Sequence, residues 1–170
     1  SWGDFSAFSL NPMKPLGAFG EAGILVFNNK KYLDKLKSLR YLGTKNIEIC
    51  IDPDINHKID EIQSMWLIER LNGLDDILSK RRQIAKSLSK KISKYVKVIG
   101  IDDVSRSTFF EFTIDCDKRN KLKLYLEKNG IETKIKHPVL MCDQPGYTLN
   151  KKYRVPNSRF LLNRILSLPL

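Results

Sequence analysis

The chain has 170 residues and a formal net charge of +11, from 30 Lys and Arg against 19 Asp and Glu. A chain of this size can bury a real core and supports one domain, or a small domain with part of another. No apolar run approaches the ~20 residues of a bilayer-spanning helix, so a helical membrane anchor is excluded from these residues. Cys50, Cys116 and Cys142 are widely spaced with no Cys-x-x-Cys pair, which fits a reducing cytoplasm better than a disulfide framework or a zinc site. With His57 and His137 as the two imidazoles, no metal centre is expected. The positive charge raises a basic nucleic-acid-binding module as an alternative. Its lysines are spread through amphipathic segments and are not interleaved with a stacking motif, so no nucleic-acid partner is expected.

In chain order, the apolar run Ile24-Leu25-Val26-Phe27 predicts a short buried strand. Asn29 starts a helix carrying Tyr32, Leu33, Leu36, Leu39 and Arg40, which ends near Gly43. Residues 44–55 read as irregular. A long helix is expected from about His57, because Ile59, Ile62, Trp66, Leu71 and Leu74 recur at helical spacing. Gly73 marks a bend or boundary, and Ile77, Ile84, Leu88 and Ile92 continue the pattern in a second helix to about Ser93. The period then changes. Val96, Val98 and Ile101 suggest extended chain, and Phe110, Phe112 and Ile114 alternate with Glu111 and Thr113 as a half-buried strand. Lys118 to Lys128 predict a helix stopped by Asn129-Gly130. Ile131 to Ile135 read as a further strand, Pro138 to Tyr147 as a loop, and Asn157 to Leu166 as a final helix. The whole is an α/β arrangement without internal repeats or low-complexity linkers.

Before the first of these helices lies Phe8-Ser9-Leu10-Asn11-Pro12-Met13-Lys14-Pro15-Leu16-Gly17-Ala18-Phe19-Gly20-Glu21-Ala22-Gly23. Pro12 and Pro15 restrict the backbone on both sides of Lys14 and forbid a helix interior. The glycines allow close backbone approach, but their spacing fits neither the dinucleotide fingerprint nor the P-loop. A lysine held in such a stiff loop, with the Ser9 hydroxyl upstream, is a candidate for covalent chemistry with a carbonyl. The ordinary reading is a surface lysine in a tight loop.

Gly3-Asp4, Phe8-Ser9-Leu10, Lys14, Leu16-Gly17, Gly20 and Gly23 together resemble the DegT/StrS-type family of pyridoxal-phosphate sugar aminotransferases. Later blocks follow in the family's order. They are Asn56-His57-Lys58-Ile59-Asp60-Glu61-Ile62-Gln63, Leu74-Asp75, Arg81-Arg82-Gln83-Ile84-Ala85, Gly130-Ile131-Glu132-Thr133, Gln144-Pro145-Gly146-Tyr147 and Leu166-Ser167-Leu168-Pro169-Leu170. The resemblance implies the C-terminal part of a fold-type I pyridoxal-phosphate-dependent transferase. Residues 1–53 would be the end of the large cofactor domain, and 54–170 the connecting helices and the small α/β domain. It implies that Lys14 bonds the aldehyde of pyridoxal 5'-phosphate as a Schiff base, and that Ser9 binds the cofactor phosphate. Asn56 would reach the phosphate of a neighbouring subunit in a homodimer. Asn56 also suits an N-cap for the following helix.

Departures from the pattern are equally specific. Lys58 stands where the family has arginine, keeping the charge without the planar fork. Lys136 and His137 occupy the positions of a His-Tyr pair, and Cys142 that of a second histidine, in a loop that helps form the sugar-nucleotide site of relatives. His137 is the substrate-binding candidate there. The implied activity is transamination of a nucleotide-linked keto sugar, of the perosamine-synthase kind used for surface polysaccharide, with glutamate as donor. The family's first half has no counterpart in these residues. The expectation is therefore a fragment or split half that needs the N-terminal half, with a non-catalytic remnant as the alternative.

Overall fold

Alternating apolar residues build the best-buried strand of the protein. A computed structural model describes residues 3–101, 104, 106–147 and 153–170. The chain divides into two compact units, residues 1–75 and 76–170.

In the second unit, β6 (Phe112–Asp115) lies between β5 (Lys97–Val98) and β7 (Ile165–Leu168) in an antiparallel sheet. Phe112 and Ile114 point to one face and are 1% exposed, while Thr113 and Asp115 alternate to the other. Ile114 pairs with Val98 on one side and Leu166 on the other. This buried face packs with Ala85, Leu88 and Ile92 of α3 (Leu74–Ile92) and with Leu122 and Leu126 of α4 (Arg119–Lys128). Arginines hold the connections. Arg81 donates through Nε and Nη2 to the Phe109 carbonyl at 3.1 and 2.5 Å, and Arg82 Nε donates to the Ser107 carbonyl at 3.0 Å. Buried Arg119 donates to the carbonyls of Leu162 and Ile165 at 3.3 and 3.2 Å, where α5 (Pro156–Leu162) passes into β7.

In the first unit, β1 (Phe5–Ser9) and β2 (Gly23–Phe27) form an antiparallel pair with Ser9 opposite Gly23. A 3-10 turn at Lys30–Tyr32, capped by Asn29, leads into α1 (Leu33–Arg40). α2 (Glu61–Asn72) follows, and Gly73 separates it from α3. A second core joins Leu67 of α2 to Leu10 and Ala18.

The strand expected over Phe110 to Ile114 is present but starts at Phe112, both central helices are present, and α4 stops at Asn129 and Gly130, the latter with φ +75°. Five expectations are corrected. Ile24 to Phe27 form a strand that is not buried: Ile24, Leu25 and Val26 are 51%, 43% and 38% exposed. Residues 44–55 are not irregular: β3 (Thr44–Lys45) and β4 (Ile49–Cys50) form a hairpin. Its turn puts Asn46 and Ile47 at positive φ without a glycine to signal it. The first long helix starts at Glu61 rather than His57, with Asp60 as its extended N-cap residue. Ile131 to Ile135 are not a strand. The Ile131 amide closes the end of α4 on the Leu126 carbonyl, and only Lys134 bridges to Ser167. The last helix ends at Leu162, because Leu166 is taken into the sheet opposite Ile114.

Truncating Ile114 to Ala should cost about 2–5 kcal/mol, because a cavity opens inside the sheet-helix core. Leu124→Ala on the exposed side of α4, where Leu124 is 60% exposed, should stay within about 0.5 kcal/mol. Denaturant unfolding followed by circular dichroism measures both.

Candidate active site

Lys14 lies in the loop that joins β1 to β2. Asn11 organises its entry. The Asn11 carbonyl accepts the Lys14 amide at 2.8 Å, its Oδ1 accepts the Met13 amide at 2.9 Å, and its Nδ2 donates to Glu21 at 2.6 Å. The Asn11 amide in turn reaches Ser9 Oγ at 3.4 Å, so Ser9 and Lys14 are tied to the same turn residue. Leu10 closes the loop, donating to the Ala22 carbonyl and accepting from Ala18, both at 2.8 Å. Gly17 is required by close approach: a Cβ there would sit 2.6 Å from the Pro12 carbonyl oxygen.

The rest of the loop is held by one face of α2. Arg70 Nη2 donates to the Pro15 carbonyl at 3.0 Å, and Trp66 Nε1 to the Gly17 carbonyl at 3.1 Å. Gln63 Oε1 accepts the Gly20 amide at 2.9 Å. The Trp66 ring stacks on Phe19 with centroids 4.5 Å apart. Sequence reasoning read Trp66 as an apolar helix position and gave Arg70 no role. The signal was their spacing with Gln63, which puts three long polar-tipped side chains on one helix face.

Asn56 is in the same unit but is not a helix cap. Its backbone bridges Tyr41, just after α1, and its Oδ1 accepts the Lys58 amide at 3.0 Å. Helix α2 starts too far along for the capping role. The Lys58 ammonium lies 3.9 Å from the centre of the Tyr41 ring, an arrangement a point charge can make without arginine's fork. Beside it, the Ile55 amide, and then the His57 ring, hold the Asp54 carboxyl below its ordinary pKa.

His137 belongs to the second unit. It is exposed and lines a cavity of about 770 Å³ with Cys142, Gln144, Tyr147, Tyr153 and Ser158. Lys136 next to it is anchored to Glu111 at 2.8 Å, and Glu111 also accepts from Ser167. Arg159 of α5 grips Asp143 through two bonds of 2.7 and 2.9 Å. That guanidinium holds the Asp143 carboxyl below its ordinary value of 3.8. Among the described residues no cluster of three or more His, Cys, Asp or Glu could hold a metal ion, and no helix is long and apolar enough to cross a membrane.

A sequence model of the DegT/DnrJ/EryC1/StrS aminotransferase family matches residues 1–170. The chain belongs to that family. Its relatives include the dTDP-3-amino-3,4,6-trideoxy-alpha-D-glucose transaminase of Streptomyces venezuelae. That enzyme is 27% identical over 170 residues, a match that covers 97% of this chain and 45% of the relative. Among solved structures, a DegT DnrJ EryC1 StrS aminotransferase from Brucella abortus superposes with a TM-score of 0.92 at 30% identity, covering 99% of this chain and 46% of that one. A Bacillus subtilis protein solved with bound cofactor PMP shares the fold at a TM-score of 0.84 and 20% identity, covering 99% of this chain and 41% of that one. This family member therefore spans about half the length of the relatives it matches.

Asp143→Asn should lower the stability of the second unit near neutral pH and change it little in acid. A carboxyl with a depressed pKa contributes above 3.8 and loses that contribution as pH falls through its lower folded value. The Asp143–Arg159 pair is exposed, so the effect should be small and fade with salt. Unfolding midpoints of wild type and variant from pH 2 to 7, at low and high salt, measure it.

Proposed function

We propose that this chain is the C-terminal part of a pyridoxal-phosphate-dependent aminotransferase of nucleotide-linked keto sugars, with Lys14 as its catalytic residue. The observation that carries the reading is Lys14 itself. The family match runs across it, and its loop is pinned on both sides, by Asn11 before it and by α2 after it. The donor set fits the cofactor: a primary amine for an aldehyde at Lys14, and hydroxyl and amide groups for a phosphate at Ser9 and Asn56. Ser9 Oγ accepts the Asn11 amide, which leaves its own O–H to donate. Asn56 Oδ1 takes the Lys58 amide, which makes Nδ2 its donor toward a phosphate.

When bound, pyridoxal phosphate supplies the electron sink for transamination. Lys14 Nζ would hold the cofactor by its aldehyde, and its amine, when free, would be the base that takes the proton from the α-carbon of the amino donor. Ser9 orients the phosphate and so the ring. His137 and its cavity are assigned to the sugar-nucleotide side, and glutamate is the donor by the family's habit. In this reading residues 1–53 end the large cofactor domain and 54–170 form the connecting helices and small domain.

The remaining cofactor contacts come from an N-terminal half and from a second subunit in a cytoplasmic homodimer. Exposed apolar side chains in the first unit support this. Phe8 and Ile24 on the β1–β2 pair are 55% and 51% exposed, and Ile62, Met65 and Ile68 on α2 are 75%, 70% and 65% exposed. The product would be an amino sugar of the kind built into surface polysaccharides.

In the full-length protein, Lys14→Ala should abolish both the visible absorbance of lysine-bound cofactor and transamination. Ser9→Ala should keep the band but weaken cofactor binding by about 1.5–3 kcal/mol, the range for a hydrogen bond to a charged group. An unchanged band in Lys14→Ala would refute the assignment.

A further inference from the structure

We infer that Gln63, Trp66 and Arg70 are positioning residues that set the placement of the Lys14 amine through the backbone of residues 15–20; the inference rests on the reading of Lys14 as the reactive lysine. The three positions fall at i, i+3 and i+7 and share one face of α2. Each addresses a different main-chain group of the loop. Arg70 donates to the Pro15 carbonyl, Trp66 to the Gly17 carbonyl, and Gln63 accepts from the Gly20 amide.

The loop needs such outside partners. Pro12 and Pro15 have no amide hydrogen to bond within it, and Gly17 and Gly20 have the widest backbone freedom of any residue. Pro15 follows Lys14 directly. Lys14 is thus flanked by two fixed points, the Asn11 carbonyl that accepts its amide at 2.8 Å and the Pro15 carbonyl held by Arg70 at 3.0 Å. A reacting amine misplaced by about 1 Å loses on the order of a hundredfold in rate, so the anchoring of its backbone bears on its chemistry.

The three contacts also differ in kind, which lets each be tested separately. Trp66→Phe removes the N–H donor and leaves a ring to stack on Phe19. Arg70→Met removes the donor and Arg70→Lys restores one. Gln63→Leu removes the acceptor and Gln63→Glu restores it.

Competitive acylation of the lysines in the full-length protein, read by peptide mapping, reports Lys14 separately and needs no cofactor. Trp66→Phe, Arg70→Met and Gln63→Leu should change the labelling rate of Lys14 severalfold relative to the other lysines, and Arg70→Lys and Gln63→Glu should recover it. The same three variants should slow attachment of added pyridoxal phosphate by about tenfold, and should shift the pH at which its visible band titrates. Unchanged Lys14 labelling in folded Trp66→Phe and Arg70→Met would overturn the positioning role. Labelling that moves with these variants while Lys14→Ala still binds the cofactor normally would uphold the positioning role and refute the aminotransferase reading.

Discussion

A loop with two prolines and two glycines cannot fix its whole shape by internal hydrogen bonds alone. That constraint governs the first unit. The loop around Lys14 is held from within by Asn11 and Glu21 at its base and from outside by the face of α2 along its far side. Each contact from α2 satisfies a main-chain group that would otherwise need water. Trp66 does two things at once, donating to Gly17 and stacking on Phe19. The small core of Leu10, Ala18 and Leu67 joins the same loop to α2. The stiffness and the glycines are complementary: prolines limit where the chain can go, and glycines let Gly17 fold back against Pro12.

The two units differ in how well they bury what they contain. The second unit closes a sheet-helix core in which Ala85, Phe112, Ile114 and Leu166 are at most 1% exposed. Its polar connections are held by arginines that reach backbone carbonyls, a use suited to a planar group with several donors. The first unit leaves large apolar side chains in water on its strands and on the side of α2 turned away from the Lys14 loop. A two-stranded pair is marginal alone and gains from further strands or helices.

Much of this was legible in the sequence where pattern and burial coincide. Phe112 and Ile114 alternate because one face of β6 is core, and Asn129-Gly130 stop α4 because Gly130 can take positive φ. The roles proposed for Ser9 and Lys14 rest on the order of motifs, since nothing in their spacing alone distinguishes a reactive lysine from a loop lysine. The failures have physical causes. The β3–β4 hairpin hides because Ile47 adopts a conformation its side chain disfavours. The apolar residues Leu161, Leu162, Ile165 and Leu166 read as one helix, yet the chain turns at Asn163 and Arg164, where Arg164 pairs with Asp115 and Asp117. The face of α2 that holds the loop was missed because its partners are backbone groups, which leave no trace in side-chain patterns.

The central claim is that Lys14 is the lysine that carries the cofactor. Borohydride reduction of the full-length protein loaded with pyridoxal phosphate fixes the cofactor to whichever lysine holds it, and mass spectrometry of the digested peptides then reads the position. The account predicts a single pyridoxyl modification on the peptide containing Lys14. A modification carried by a different lysine, with the Lys14 peptide unlabelled, would contradict it.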